Sequence, residues 1–250
     1  MSMNKYYMYL YGIVQKTNDS WKNLKGIENE VLDAIHYEAC DVVYGKINYD
    51  RCGFDVEKLQ KHNEVLMTLM DSYSVLPFTF GTIMVSKKNV DQLMKSQEEK
   101  FLMLLNEYKG KVEVGLKVFS RNKELPSKNA VTLEKCEEHG TSGKAYIMNR
   151  YKVYSADKQR IENIKRELQL LLGDLEKIAY KWDVKYLEKG ILVVNASYLI
   201  SRDGIDDCRK IVSNFNQSNR NWICKVSGPW PPYSFVENEK GDDLLGHGRG

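Results

Sequence analysis

From Lys111 to Ser227 the hydrophobic period switches between two and about 3.6 residues, in an order that few topologies accommodate. Val112, Val114, Leu116 and Val118 alternate with Glu113, Gly115, Lys117 and Phe119, which predicts a half-buried strand over Lys111 to Ser120. Ser142 to Tyr180 contains no proline. Ile147, Tyr151 and Tyr154 lead there into Ile161, Ile164, Leu168, Leu171, Leu175 and Ile178, the last six at helical intervals. That predicts a long amphipathic helix, with candidate breaks near Ser155 or Gly173, packed on a sheet. A coiled-coil seam would need roughly 3–4 sustained heptads with matching flanking charges. Trp182 to Glu188 and Ile191 to Ile200 read as strands around the hairpin-compatible Lys189-Gly190. Asp203 opens a short helix carrying Ile205, Cys208, Ile211, Val212 and Phe215, and Asn221 to Ser227 is a last strand. Strand, helix, strand, strand, helix, strand is the ferredoxin-like order, βαββαβ, with both helices on one face of an antiparallel sheet.

The first half is also α+β but does not follow that order. Tyr6 to Val14 is almost continuously apolar and aromatic, as expected of a strand buried on both faces. Asp41 to Ile47 is a second strand, and Ile27 to His36 fits either a strand or a short helix. Asp55 is placed to cap a helix carrying Leu59, Val65, Leu66, Leu69, Met70 and Tyr73. Val75 to Met84 reads as one strand, with Pro77 at an edge or at its start. Asn89 starts a further helix, with Val90, Leu93, Met94, Phe101, Leu104, Leu105 and Tyr108 as its buried stripe and Gly110 as its stop. The fold class is therefore α+β in two domains: a mixed sheet-and-helix domain over 1–109, a ferredoxin-like domain over 110–236, and a polar tail, 237–250, of disordered composition.

Three of the five prolines sit in the nine residues Gly228-Pro229-Trp230-Pro231-Pro232-Tyr233-Ser234-Phe235-Val236. Proline fixes φ and pushes the residue before it toward extended geometry, so a stiff, extended arm is expected. Its aromatics are too large and apolar for a free tail and should be buried. Trp230, Pro232, Tyr233 and Phe235 are thus candidates for a structural clasp or for a partner-binding element.

No catalytic constellation is visible. The sequence lacks a Walker A loop, a G-x-S-x-G elbow, a G-x-G-x-x-G turn and an H-E-x-x-H helix. His62, near the apolar stripe of the first helix, reads as a helix-surface or boundary residue. Cys136 and His139 form a lone C-x-x-H, a poor zinc site without a second pair. The adjacent acids Glu137-Glu138 and Asp206-Asp207 point apart. No enzyme, cofactor or metal is expected. The formal net charge is only +3, with lysines and acids interleaved, which argues against a nucleic-acid stripe. Five scattered cysteines suit reduced cytosolic thiols, with Cys208 and Cys224 in the core. No signal pattern opens the chain and no apolar run approaches the roughly 20 residues of a membrane span.

The proline-aromatic nonapeptide resembles the C-terminal signature of the gas vesicle accessory proteins of the GvpF/GvpL family. Tyr9-Leu10-Tyr11-Gly12-Ile13-Val14 is similar to that family's first strand. Val75-Leu76-Pro77-Phe78-Thr79-Phe80-Gly81-Thr82 is similar to an internal motif, with Thr79 where a larger or basic residue is expected. The resemblance runs from about Tyr6 to Val236. It implies a cytoplasmic, gas-vesicle-associated assembly factor. Its partners would be the hydrophobic shell protein and other gas vesicle accessory proteins, with no nucleic acid and no membrane. Its action would be chaperone-like, limiting shell-protein aggregation and nucleating the vesicle. From the residues alone two alternatives stay open: a nucleic-acid-binding module on the ferredoxin-like sheet, and a small-ligand-binding enzyme or sensor.

Overall fold

A computed structural model describes residues 6–16, 21, 23–48, 55–121, 143–188 and 190–238. The expected polar tail, the lone Cys136–His139 pair, Cys52 and nearly all of the loop after Arg121 lie outside the described residues. Two compact units emerge: 1–113 with 229–250, and 114–228.

The first unit is organised by strand β1, Tyr6–Gln15, in which every residue from Tyr9 to Val14 is buried. This is the burial expected of its unbroken apolar run, and the reason is its central place in the sheet. On one side it pairs antiparallel with β3, Cys40–Asn48, with an irregularity between Leu10 and Gly12. On the other side it pairs with β4, Val75–Pro77, and β5, Ile83–Met84. β2, Asp33–His36, lies on the outer side of β3. Ile27 to His36 thus holds both alternatives, a 3-10 turn at Ile27–Asn29 followed by β2. Val75 to Met84 is not one strand. Thr82 donates its N–H and its hydroxyl to the Thr79 carbonyl, closing a turn that splits the segment into β4 and β5. Helices α1, Val56–Met70, and α2, Lys87–Glu107, both pack against β1. Asp55 caps α1 as expected, accepting from the Lys58 N–H at 2.9 Å. α2 starts two residues before Asn89 and ends ahead of Gly110, whose φ of 70° is the left-handed conformation that glycine adopts most readily.

The second unit has the ferredoxin-like topology. β6, Lys111–Ser120, is followed by α3, Gly143–Ile178, β7, Ala179–Tyr186, β8, Leu192–Ser201, α4, Ile205–Ser218, and β9, Trp222–Trp230. The sheet order is β7-β8-β6-β9. Numbered within the unit, this reads 2-3-1-4, the arrangement that the strand and helix succession requires. α3 runs unbroken past Ser155 and Gly173. Ile164, Leu168, Leu171 and Leu175 form its buried stripe. Val112, Val114, Leu116 and Val118 are all buried on one face of β6. The alternation fails once: Glu113, expected on the open face, is buried.

Two glycines make opposite demands. A Cβ at Gly26 would come within 2.3 Å of the Tyr11 hydroxyl and 2.7 Å of Leu32 Cδ2, both in buried side chains. A Cβ at Gly173, in the last two turns of α3, would meet nothing within 4 Å. Gly26→Ala should therefore destabilise by about 1–3 kcal/mol through overpacking. Gly173→Ala should stabilise by about 0.5–1 kcal/mol through helix propensity. Urea denaturation of the two variants checks both signs, and equal shifts would contradict this packing.

Candidate functional site

The proline-aromatic segment is not an extended arm. β9 continues through Pro229 to Trp230, and Tyr233–Asn238 forms a short helix, α5. The reason is local. Pro231 and Pro232 lack N–H donors and occupy the stretch just before and at the start of a helix, where a donor would have no intrahelical partner anyway. The Tyr233 N–H bonds back to the Pro231 carbonyl, and the Phe235 and Val236 N–H groups to that of Pro232.

Pro232, Phe235 and Val236 are buried and Tyr233 is half-buried. Trp230, expected to be buried with them, remains 36% exposed. Two sets of polar contacts hold α5. Glu113 accepts from the Ser234 N–H at 2.8 Å and the Ser234 hydroxyl at 2.6 Å. A carboxylate taking two such bonds at the first turn of a helix satisfies an otherwise orphaned donor, with the charge-assisted strength of an ionised acceptor. This explains why Glu113 is buried. The Tyr108 hydroxyl donates to the Phe235 carbonyl at 3.3 Å.

The second set centres on His62. It is fully buried, not at a helix boundary. Nδ1 lies 2.9 Å from the Tyr9 hydroxyl and Nε2 lies 3.1 Å from the Tyr233 hydroxyl. Each hydroxyl can donate or accept, so either neutral tautomer is satisfied. The Tyr9 hydroxyl also accepts from the Gly81 N–H at 3.1 Å. The imidazole stacks on Tyr11 and meets Tyr9 and Phe80 edge-on. Burial pushes its pKa down to about 4, partly opposed by a backbone hydrogen bond with Phe78. All three stretches that carry the family resemblance, Tyr9 to Val14, Val75 to Thr82 and Gly228 to Val236, thus meet around one ring.

Sequence reasoning missed the places of His62 and Glu113; it put Tyr108 in the buried stripe of α2, where it is, but did not foresee its contact with Phe235. His62 had a signal: it stands three and four residues before Val65 and Leu66, on the stripe that continues to Leu69 and Met70. Glu113 had none, since its partner lies 121 residues away. Among the described residues no His, Cys, Asp and Glu cluster is placed to hold a metal, and no helix is long and apolar enough to cross a membrane. Cys40, Cys208 and Cys224 are buried free thiols, each pushed up to about 11 by desolvation. That is the reverse of what a reactive cysteine needs.

The family described as "Gas vesicle synthesis protein GvpL/GvpF" matches residues 7–237. Gas vesicle protein F of Haloferax mediterranei is 22% identical over 242 residues, covering 94% of this chain and 96% of that protein. Gas vesicle protein F of a Streptomyces species is 27% identical over 185 residues, covering 72% and 77%. The crystal structure of GvpF from Microcystis aeruginosa has the same fold, with a TM-score of 0.73 at 20% identity, over 92% of this chain and 98% of that one.

Two outcomes follow from the geometry. His62 is neutral in the folded protein down to about pH 4, whereas in the unfolded chain it takes a proton near 6.5. The unfolded state binds more protons between those values. The stability this group contributes is therefore fully present above pH 6.5 and is lost as pH falls toward 4, by roughly 3 kcal/mol in all. Denaturation midpoints between pH 6.5 and 5 should fall more steeply for the native protein than for His62→Gln, and parallel slopes would contradict the burial. Separately, Phe235→Ala should cost about 3–5 kcal/mol as a core truncation, and Trp230→Ala closer to 1 kcal/mol. Thermal melts of the two variants give the ranking.

Proposed function

The chain belongs to the gas vesicle GvpL/GvpF family and takes part in gas vesicle formation; within that role we propose that it binds the hydrophobic shell protein, limits its aggregation and helps nucleate the vesicle. The observation that carries this reading is the family match across residues 7–237. A physical need supports it, because an apolar, β-rich subunit bound for a closed shell exposes aggregation-prone strands before it assembles. The protein would act in the cytoplasm and at the vesicle, beside other accessory proteins.

In this reading Pro232, Tyr233 and Phe235 clasp the C-terminal segment to the first unit, and Trp230 is left to meet a partner. Its exposure, against the burial of Phe235, supports that division. The nucleic-acid alternative draws no support from Tyr198 of β8. Tyr198, the aromatic that an open sheet face would offer to a base, is buried, and stacking needs an accessible ring.

Co-expression with the shell protein tests the proposal. Soluble shell protein should rise and should co-purify with this chain. Trp230→Ala should lower the recovery while leaving the melting temperature within a few degrees. No gain in soluble shell protein and no co-purification would overturn the reading.

A further inference from the structure

β7 is the edge strand of the second unit's sheet, paired antiparallel with β8 on its inner side. The Leu187 N–H donates to the Val193 carbonyl at 2.9 Å, and these residues stand opposite each other at the end of the same ladder. Hydrogen-bonded and non-hydrogen-bonded pairs alternate along such a ladder. Asp183 and Lys185 therefore turn their backbone groups toward β8, and Trp182, Val184 and Tyr186 turn theirs outward. Trp182 is 48% exposed. Lysines on an edge ordinarily deter pairing. Here Asp183 lies between Lys181 and Lys185 and bridges Lys185 along its own strand at 3.2 Å, so one face alternates in sign and two such pairs can interleave across a seam.

We propose that β7 pairs with β7 of a second copy of this chain, antiparallel and two-fold symmetric about Val184. Val184 then faces Val184 of the second copy, Asp183 faces its Lys185, and Trp182 faces its Tyr186. The opposite charges fall in non-hydrogen-bonded positions, where Cα atoms approach to about 4.5 Å and side chains lie closest. A pairing centred on Asp183 instead sets Asp183 against Asp183 and Lys181 against Lys185, and like charges directly opposite destabilise. A pairing centred on Trp182 also matches charges, but its ladder must run through the irregularity between Ala179 and Lys181.

The helix layer favours the same seam. α3 packs on β7 and β8, and a groove of about 590 Å³ beside the edge is lined by Arg166, Gln169, Leu170, Gly173 and Tyr186. Leu170 is 78% exposed. A two-fold axis normal to the sheet puts α3 of each copy on the same face, so the two grooves look at each other across the seam and Leu170 is covered. Five paired residues alone bury less than the roughly 1,000 Å² that a specific interface requires. The flanks of α3 supply the rest.

Sedimentation velocity and oxidative cross-linking of the full chain, without shell protein, test this. The native protein should show a concentration-dependent monomer–dimer equilibrium. Asp183→Lys should weaken it at least tenfold, and the double variant Asp183→Lys/Lys185→Asp should restore it. Val184→Cys should form a disulfide-linked dimer, because directly paired residues sit within disulfide reach. Trp182→Cys should not, its two copies being roughly 13 Å apart in this register. A native protein that stays monomeric at every concentration, or a dimer indifferent to Asp183→Lys, overturns the proposal. So does a dimer in which Trp182→Cys cross-links and Val184→Cys does not. If Asp183→Lys instead abolishes shell-protein capture by a protein that is itself monomeric, the edge serves that partner and self-pairing is wrong.

Discussion

The first unit closes on a buried imidazole. Removing a histidine from water is tolerable when both ring nitrogens find partners, and His62 finds them in Tyr9 of the first strand and Tyr233 of the last helix. The Tyr9 hydroxyl also holds the Gly81 N–H, which draws in the turn between β4 and β5. Four separate parts of the chain therefore share one small polar network inside an apolar, aromatic surround. Such a network is costly when only partly satisfied, so each member depends on the others being in place. Glu113 repeats the arrangement one residue further along α5, where a buried carboxylate is compensated by two donors of Ser234.

The contact between His62 and Tyr233 spans 171 residues, most of which belong to the second unit. Loop closure over that length would be a serious entropic cost for an unstructured chain, although it grows only with the logarithm of length. The ferredoxin-like unit removes most of it. β6 and β9 are neighbours in its sheet. A Cβ on Gly115 would meet the Ser227 hydroxyl at 2.8 Å, which shows how near the start of one lies to the end of the other. Once this unit folds, its two ends are already side by side, and the C-terminal segment is released close to where the chain left the first unit. An inserted domain with adjacent termini is the arrangement that lets a late segment complete an early core.

Legibility of the fold followed the range of the interactions. The second unit was readable because its signals are local: the alternation over Val112 to Val118, the stripe from Ile164 to Leu175, and the two strands either side of Gly190 each follow from nearest neighbours along the chain. β1 was readable because burial on both faces leaves an unbroken apolar run. The departures came where a distant partner decided the outcome. Gly228 to Val236 contains residues that favour extended backbone, yet two adjacent prolines also suit a helix start, and Glu113 and His62 lie where they favour that alternative. Glu113 looked like the solvent-facing half of an alternating strand because nothing within 100 residues marks it as a cap. His62 fell on the apolar stripe of α1, but polarity argued for the surface; only the two tyrosine hydroxyls make its burial possible.

The three stretches that resemble the family's motifs are, with one exception, the residues that hold the first unit together. Tyr9, Tyr11, Leu76, Phe78 and Phe235 are all buried; the Phe78 N–H donates to the Tyr11 carbonyl, the Tyr9 hydroxyl meets His62 and Gly81, and the Tyr108 hydroxyl donates to the Phe235 carbonyl. A signature of this kind reports that the fold is intact and says little about which surface meets a partner. The exception is Trp230, which belongs to the signature yet keeps a third of its surface in solvent. Trp230 stands at the last residue of β9 before the chain turns into α5, with 36% of its surface exposed. It has the area and rigidity that anchor residues at interfaces need. Two of the exposed aromatics lie on edge strands of the second sheet, Trp230 at the end of β9 and Trp182 on β7. β7 and β9 are opposite edges in the order β7-β8-β6-β9, so a second copy paired on β7 and a partner at the end of β9 would not compete for the same strand.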